Sequence, residues 1–407
     1  MNKSMLMFVA PALAVGLLIS PALAQNGSGP WVTAWASSQQ AVGQTKISKA
    51  TVRMIARVTL PGESVRIRLD NTFGAVPASF GRISIGPRIR GPALAAGLVK
   101  PVTFGGASTV TIPAGGTVES DPVPLHVDAQ QDLGVSLYVT GSDLQPSQHN
   151  NAFEDSYLTP DGAGDQTGSE NGKPFTRSTT AMFWLKSIDV RPQRPATAIV
   201  AFGDSITDGT CTVPDAHERW EDTLAQRLAL RQPVERAVVN EGIAGNTVSG
   251  ERLQPAATST PGIERLDRDV LSHAGVSHVI LFMGTNDIRR EAPADQVIAG
   301  MKNIIGRVKA RGLKIIGATI IPRHSVVPGV ETTGWNDAKT KVRNQVNDWI
   351  RKATDFDGVL DFDKIVRSAG NPDLIEPAYN CGDGIHPSSI GYFQMGKSVD
   401  LGLFGLR

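Results

Sequence analysis

The feature that most constrains the fold is the pattern of the C-terminal half, where strands that are apolar throughout alternate with amphipathic helices. Residues 197–202, 276–283 and 313–319 are such strands, while residues 218–231 and 293–311 have helical periodicity. Strands without a polar face need cover on both sides, and strands that alternate with helices form parallel sheets. The pattern predicts an α/β domain, with functional residues at the carboxyl ends of its strands.

The first half of the chain has a different pattern, made of short alternating segments separated by glycine and proline turns. Residues 51–57 and 64–70 alternate in this way, and Pro61 and Gly62 form the turn between them. Many short strands bounded by turn residues are typical of antiparallel β-sandwiches and jelly rolls. We therefore expect an all-β domain of the sandwich or jelly-roll type before the α/β domain.

The N-terminus has the pattern of a secretory signal peptide. Lys3 precedes an apolar run at residues 5–19, and the small residues Ala22 and Ala24 follow it. This pattern predicts cleavage after Ala24 and export to the periplasm or the medium. The predicted parts are a signal peptide (1–24), a β-sandwich accessory domain (25–190), a linker (191–196) and an α/β domain (197–407).

Charge and hydropathy narrow the range of partners. Loss of Lys3 with the signal peptide leaves a chain of zero formal charge, and no basic stripe dominates. Nucleic acid is therefore not expected as a partner. No later segment is apolar enough to span a bilayer, so no membrane span is expected after signal cleavage.

Four short polar segments fall at predicted strand ends or just before the last helix. They are residues 202–209, 240–246, 284–287 and 383–387. In this order the four segments resemble the blocks of the SGNH (GDSL) hydrolase superfamily, and the resemblance covers about residues 197–404. It implies a three-layer α/β/α, flavodoxin-like hydrolase domain that cleaves carboxylic esters with a serine nucleophile and without a cofactor.

The residue types in these segments agree with that chemistry. Acyl transfer needs a nucleophile, a base that removes its proton and a group that orients the base. Ser205 supplies the hydroxyl and is expected in a glycine-flanked loop. His386 is the candidate base, and Asp383, three residues earlier, is placed to accept the second imidazole N–H.

The resemblance also indicates which groups stabilise the oxyanion. The candidate donors are the backbone N–H groups of Ser205 and Gly245 and the side-chain amide of Asn286. Asp204 and Asp287 are expected to hold loop amides rather than to take part in the chemistry.

The two cysteines, Cys211 and Cys381, are expected to pair, because an exported protein with two cysteines usually forms a disulfide. The bond would tie the loop after Ser205 to the loop that carries Asp383, and for a loop of this length the chain-entropy model gives roughly 5 kcal/mol as an upper value. No metal site is predicted, because the chain lacks a His-Glu-x-x-His segment and carboxylates at ligand spacing.

Several alternatives remain open at this stage. The substrate is a small-molecule ester with a short acyl group or an O-acetylated carbohydrate, and a non-catalytic binding protein on the same fold is a third possibility. The β domain either binds polysaccharide or serves as a structural platform. Residues 320–334 and 210–215 are candidates for shaping substrate access, with Trp335, His324 and Trp220 as candidate wall residues.

Overall fold

A computed structural model describes residues 1, 30–231, 234–324 and 334–406. The predicted signal peptide lies outside the described residues except for Met1, and so does most of the predicted access segment 320–334. The described part of the chain contains no helix that combines the length and the apolar character needed to cross a bilayer.

The N-terminal region is built from short strands. They are β1 (Val32–Ala36), β2 (Ala41–Val42), β3 (Thr51–Val58), β4 (Val65–Asp70), β5 (Ala78–Arg90), β6 (Ala93–Leu94), β7 (Lys100–Val102), β8 (Val110–Ile112), β9 (Thr117–Glu119), β10 (Gln131–Val139), β11 (Ser147–His149), β12 (Ser156–Leu158), β13 (Arg177–Thr179), β14 (Met182–Phe183) and β15 (Leu185–Val190).

These strands form three antiparallel sheets. The first has the order β1-β15-β4-β9, and the second has the order β13-β12-β3-β10-β5-β6, with β7 and β8 also paired to β5. The third is β14-β11-β2. Strand β4 shows the predicted alternation, because Val65, Ile67 and Leu69 are buried while Arg66 and Arg68 pair with acidic residues on the opposite face. The region before the α/β part is therefore all-β.

The C-terminal region alternates strands and helices. Its strands are β16 (Ala196–Gly203), β17 (Glu235–Gly242), β18 (Val276–Phe282), β19 (Lys314–Ala318) and β20 (Gly358–Leu360). Its helices are α1 (Ser205–Asp208), α2 (Trp220–Ala229), α3 (Gly262–Leu266), α4 (Thr285–Arg289), α5 (Ala294–Ala310), α6 (Asp337–Lys352), α7 (Phe362–Val366) and α8 (Ser389–Ser398). A π-helical turn, Asp267–Leu271, continues α3, and 3-10 turns lie at Pro377–Tyr379 and Leu401–Phe404.

The five C-terminal strands form one parallel sheet of order β17-β16-β18-β19-β20. Successive residues of β16 face opposite sides of it. Ala198, Val200 and Phe202 pack into the apolar cluster that contains α5 and α6, whereas Ile199 and Ala201 pack into the cluster that contains α2 and α8. Helices therefore cover both faces, as the unbroken apolar strands predict.

The β region covers the edge of the parallel sheet. Strand β17 is an edge strand, and its Val238 N–H and C=O both bond the hydroxyl of Thr59 at 3.0 Å. Thr33 of β1 exchanges two bonds of 3.0 Å with Ala274. The cluster on the α5 and α6 side continues into the core of the β region. The two regions therefore share one core, and an edge that would otherwise be unpaired is protected.

Two sequence predictions about the N-terminal region need correction. A single strand over residues 180–185 is wrong, because the chain breaks at Trp184, whose φ is 53°. The Trp184 ring is fully buried edge-on against Phe80, and the turn passes the chain from the three-stranded to the four-stranded sheet. In the predicted linker 191–196, the last residue, Ala196, already belongs to β16.

Candidate active site

Ser205 lies at the carboxyl end of β16 as the first residue of α1, not in a loop as predicted. Asp204 caps this helix and accepts the Ile206 N–H at 3.0 Å. Gly209 ends the helix with a φ of 101°, and its N–H reaches the Ser205 carbonyl. A four-residue helix leaves no periodicity in the sequence, which is why the pattern did not reveal it.

Ser205, His386 and Asp383 form a continuous hydrogen-bonded series. Ser205 Oγ lies 2.8 Å from His386 Nε2, and His386 Nδ1 lies 2.6 Å from Asp383 Oδ2. Because Asp383 accepts at Nδ1, the imidazole presents Nε2 as the acceptor of the serine proton. The three residues that the sequence singled out are therefore brought together in the order that acyl transfer needs.

Asp383 is held by its own loop. Its second oxygen accepts the backbone N–H groups of Ile385 and His386, each at 2.8 Å. Burial favours the protonated carboxyl, but the hydrogen bond and charge of His386 and these N–H groups lower the pKa of Asp383 to about 2. The carboxylate therefore stays ionised at any neutral or mildly acidic pH.

Gly245 lies in a tight turn that follows β17. The Asn246 N–H donates to the Ile243 carbonyl at 3.1 Å and so closes the turn. Gly245, the third residue of the turn, has a φ of +75°. A positive φ at this position of a turn suits glycine. Among the described residues, neither the Ser205 N–H nor the Gly245 N–H donates a hydrogen bond. Both are available to a developing oxyanion.

Asn286 belongs to α4, at the end of the neighbouring strand β18. Its Nδ2 donates to the Asn246 carbonyl at 3.1 Å, which leaves the second amide hydrogen unused by that bond. Its Oδ1 faces Arg323 Nη1 at 3.4 Å. Since a guanidinium only donates, this contact fixes which end of the Asn286 amide carries the nitrogen.

Asp204 and Asp287 hold backbone amides, as the sequence predicts. Asp287 accepts the N–H groups of Val248 at 2.9 Å and Ser249 at 3.1 Å, and so anchors the loop after Gly245. Burial raises the pKa of Asp287 to about 7 and that of Asp204 to about 6. For Asp204, the Ile206 N–H and the nearby positive charges oppose the rise.

Arg265 is a buried residue of this site that the sequence did not reveal. Its guanidinium donates to the carbonyls of Gly203 at 2.9 Å and Glu241 at 3.0 Å, the ends of β16 and β17. It also donates to Asn246 Oδ1 at 3.0 Å and to Ser38 Oγ of the β region at 2.9 Å. Arg265 thus ties the two strand ends to the loop that follows β17, and its long-range partners leave no local sequence signal.

Cys211 and Cys381 form a disulfide, as predicted. It joins the loop after α1 to the loop that carries Asp383. Within the described ranges, the one group of three potential metal ligands close enough to share an ion consists of these two sulfurs and Asp383. Because the sulfurs are bonded to each other, that group retains only the Asp383 carboxylate, which already binds His386.

The three candidate wall residues differ in position. Trp220 is not a wall residue, because it is fully buried in α2 and packs against Phe282 and Phe362. Trp335 is buried beneath Arg323, whose guanidinium lies 5.7 Å from the ring. His324 is partly exposed, with Nε2 at 3.4 Å from Asp337.

The serine, histidine and carboxylate lie at the carboxyl edge of a parallel sheet, an arrangement that suits acyl transfer. Residues 201–392 match the GDSL-like Lipase/Acylhydrolase family, so this part of the chain is an SGNH (GDSL)-type hydrolase domain.

Similar solved structures include a lipase/acylhydrolase from Enterococcus faecalis, with 23% identity over 52% of this chain and 97% of that chain, at a TM-score of 0.41. A putative lipolytic protein of the G-D-S-L family from Desulfitobacterium hafniense has 24% identity over 50% of this chain and 97% of that chain, with a TM-score of 0.37. A carbohydrate acetylesterase family member from Sinorhizobium meliloti has 17% identity over 52% of this chain and 100% of that chain, with a TM-score of 0.40. A comparison with curated proteins gave no match.

Proposed function

We propose that this chain is a secreted serine esterase that hydrolyses short-acyl carboxylic esters through an acyl-enzyme. The observation that carries the proposal is the unbroken series from Ser205 Oγ through the His386 ring to the Asp383 carboxylate. The strand order β17-β16-β18-β19-β20, with helices on both faces, supports a three-layer, flavodoxin-like domain as its platform. The N-terminal pattern supports export.

In the first step, Ser205 Oγ attacks the ester carbonyl carbon while His386 Nε2 takes the hydroxyl proton. The carbonyl π electrons move to oxygen, and a tetrahedral oxyanion forms. When the C–O bond to the alcohol breaks, His386 returns its proton to the leaving oxygen. Water then attacks the acyl-serine by the same route, releasing the acid and restoring Ser205. Asp383 stays ionised throughout and stabilises the imidazolium.

The oxyanion would be held by the N–H groups of Ser205 and Gly245 and by the free amide hydrogen of Asn286. Such donors act without reorganising, because the turn and the α1 terminus already fix them. They come from three separate strand ends, so the hole forms only when β16, β17 and β18 lie side by side.

A recessed site supports a small acyl group. Ser205 is 7% exposed and the His386 side chain 13%, so the reacting atoms lie below the surface. We expect kcat/KM to be highest for acetyl and butyryl p-nitrophenyl esters and to fall towards octanoyl. Faster acetate release from acetylated xylan than from the aryl ester would favour the carbohydrate O-acetylesterase alternative.

The central test is Ser205→Ala. Loss of the nucleophile should lower p-nitrophenyl acetate turnover by roughly 10⁴-fold or more. Ser277→Ala is a matched control, since Ser277 lies at the amino end of β18 and bonds Thr197 at 2.8 Å, at the opposite edge of the sheet; its rate should stay within about twofold. A fluorophosphonate should add once to the native protein and not to Ser205→Ala. Equal rates for the native protein and Ser205→Ala would refute Ser205 as the nucleophile and with it the proposed mechanism.

A further inference from the structure

The β region contributes one buried side chain that touches the helix of the nucleophile. His149, the last residue of β11, is 2% exposed, and its Nε2 lies 2.9 Å from Asp208 Oδ1 at the end of α1. This contact joins residues that are 59 positions apart and belong to different regions of the fold. The mechanism above does not use it.

The contacts of His149 define its protonation. Nδ1 lies 2.8 Å from the Ser38 carbonyl, and Nε2 lies 3.1 Å from the Asn151 carbonyl as well as near Asp208. Carbonyl and carboxylate oxygens only accept, so both ring nitrogens must donate and the ring is a cation. Burial opposes the charge, but Asp208 and the Ser38 carbonyl raise the pKa of His149 above its ordinary value.

The second oxygen of Asp208 binds the turn that contains Gly245. Asp208 Oδ2 accepts the Ala244 N–H at 2.8 Å, one residue before Gly245. In a tight turn, the peptide between the second and third residues can face either side of the turn. Here that peptide joins Ala244 to Gly245, and its N–H is the Gly245 donor. Fixing the Ala244 amide therefore restricts the plane in which the Gly245 N–H points.

We propose that His149 is a positioning residue for the oxyanion hole, acting through Asp208 on the turn that presents the Gly245 N–H. The inference rests on the proposed esterase function and extends it to a residue outside the α/β domain. It gives the β region a role in catalysis: its buried imidazolium holds Asp208 in the orientation that anchors Ala244. A bare carboxylate here would lack its charge partner and could turn towards Arg219, whose guanidinium lines the same 40 Å³ cavity.

The test compares His149→Phe with His149→Gln. Phenylalanine keeps a ring of similar size and removes both donors, whereas alanine would enlarge the neighbouring cavity. Glutamine keeps one N–H that can reach Asp208. Arg53→Met is the matched control, because Arg53 is a buried cation of the β region that bonds Ser136 and Ser169 and touches no part of the site.

The readouts are kcat and KM for p-nitrophenyl acetate, the Ki of phenylboronic acid and the Tm. Removing one oxyanion donor costs about 10²–10³ in kcat, so misplacing one should cost roughly 10- to 100-fold. We expect His149→Phe to lower kcat by that factor with KM within about threefold, and to raise Ki in parallel, because the boronate adduct mimics the transition state. His149→Gln should recover part of kcat, and Arg53→Met should lower Tm alone.

Native kcat and Ki in folded His149→Phe would overturn the proposal, and so would a loss of Tm without a loss of kcat. If His149→Phe does not fold, Asp208→Asn decides, because it keeps the shape of Asp208 and removes one of its two acceptors; a native kcat there overturns the proposal equally. Full activity in Ser205→Ala would instead refute the proposed serine-esterase mechanism, so the two failures are distinct.

Discussion

The two sides of the active site are stabilised in different ways. On one side, Asp383 and His386 lie three residues apart, and the Asp383 carboxylate bonds the backbone of its own loop. That loop is partly exposed and is joined to the rest by the disulfide. On the other side, Ser205, Gly245 and Asn286 come from three strand ends and lie among long-range polar contacts, with Ser205 and Asn286 buried and Gly245 partly exposed.

The comparison shows that some catalytic groups are positioned by residues close to them in the sequence and others by residues far from them in the sequence. The base and its orienting carboxylate form a local unit, which needs few distant contacts to keep its shape. The nucleophile and the oxyanion donors depend on Arg265, Asp287 and Asp208, each of which connects segments far apart in the chain. A change on the first side should therefore affect chemistry more than stability, whereas a change on the second should affect both together.

Asp383→Asn should have the largest effect. The asparagine can still accept the loop amides with its oxygen, but its NH₂ group then faces His386 Nδ1 and favours the tautomer with a proton on Nε2. Nε2 cannot then accept the proton of Ser205, and kcat should fall by about 10⁴-fold. Steady-state kinetics with p-nitrophenyl acetate measure this, with Asp373→Asn as a control that should retain full activity, because Asp373 is a partly exposed carboxylate that pairs with Arg343 at 3.2 Å. A fall of less than about tenfold would contradict the role of Asp383.

Asn286→Ala should have a smaller effect on rate and an added effect on stability. Loss of one oxyanion donor should lower kcat by about 10²–10³-fold with little change in KM. The Asn246 carbonyl also loses its donor, which should cost about 1 kcal/mol of unfolding free energy.

Asn71→Ala is the control for Asn286→Ala. Asn71 is a buried asparagine of the β region whose amide donates to the Val76 carbonyl at 2.9 Å, so its loss should lower Tm and leave kcat unchanged. Denaturant unfolding and kinetics on both variants separate the two contributions. A kcat loss of the same size in both would show that the Asn286 effect is not specific.

The local side of the site was predictable from the sequence. Asp383 and His386 are spaced so that one loop can hold both, and the apolar strands of the C-terminal half correctly placed Ser205 and Asn286 at the same edge of a sheet. The alternation in β4 likewise predicted that Val65, Ile67 and Leu69 are buried, although Asp70 on the polar face is buried as well. In each case the signal lies within a few residues of the chain.

The buried residues that support the long-range side were not predictable. His149 and Arg265 are buried polar residues whose contacts with Asp208 and with the Gly203 carbonyl span 59 and 62 positions, and no local pattern distinguishes them from surface residues. Trp184 breaks a predicted strand because its ring fills the core of the β region, a tertiary effect that overrides strand propensity. Trp220 was misassigned for the same reason, because sequence alone did not show which aromatic faces the core.

The two sides should also lose stability at opposite ends of the pH range. The pKa of Asp383, about 2 in the folded chain, lies below the ordinary value of 3.8, so its contribution is present above about pH 4 and is lost as pH falls towards 2. On the other side, the cavity that Asp208 lines is also lined by Glu154, a buried residue of the β region, and burial raises the pKa of Glu154 to about 8 against an opposing charge on Arg219. The folded state then keeps a proton that the unfolded state releases, so stability falls as pH rises from about 4.5 to 8.

Glu154→Gln should remove this alkaline loss, because glutamine does not titrate. One proton difference changes the unfolding free energy by up to about 1.4 kcal/mol per pH unit, so the decline between pH 6 and 8 should become shallower by no more than that amount. Part of the decline should remain, because Asp287, with a pKa of about 7, titrates in the same range.

Asp383→Asn should instead flatten the curve only below pH 4, and its alkaline limb should match that of the native protein. Urea unfolding at half-unit pH steps measures both limbs. If Glu154→Gln leaves the alkaline limb unchanged, the buried carboxyl is ionised in the folded chain, and its proton does not contribute to the pH dependence of this side of the site.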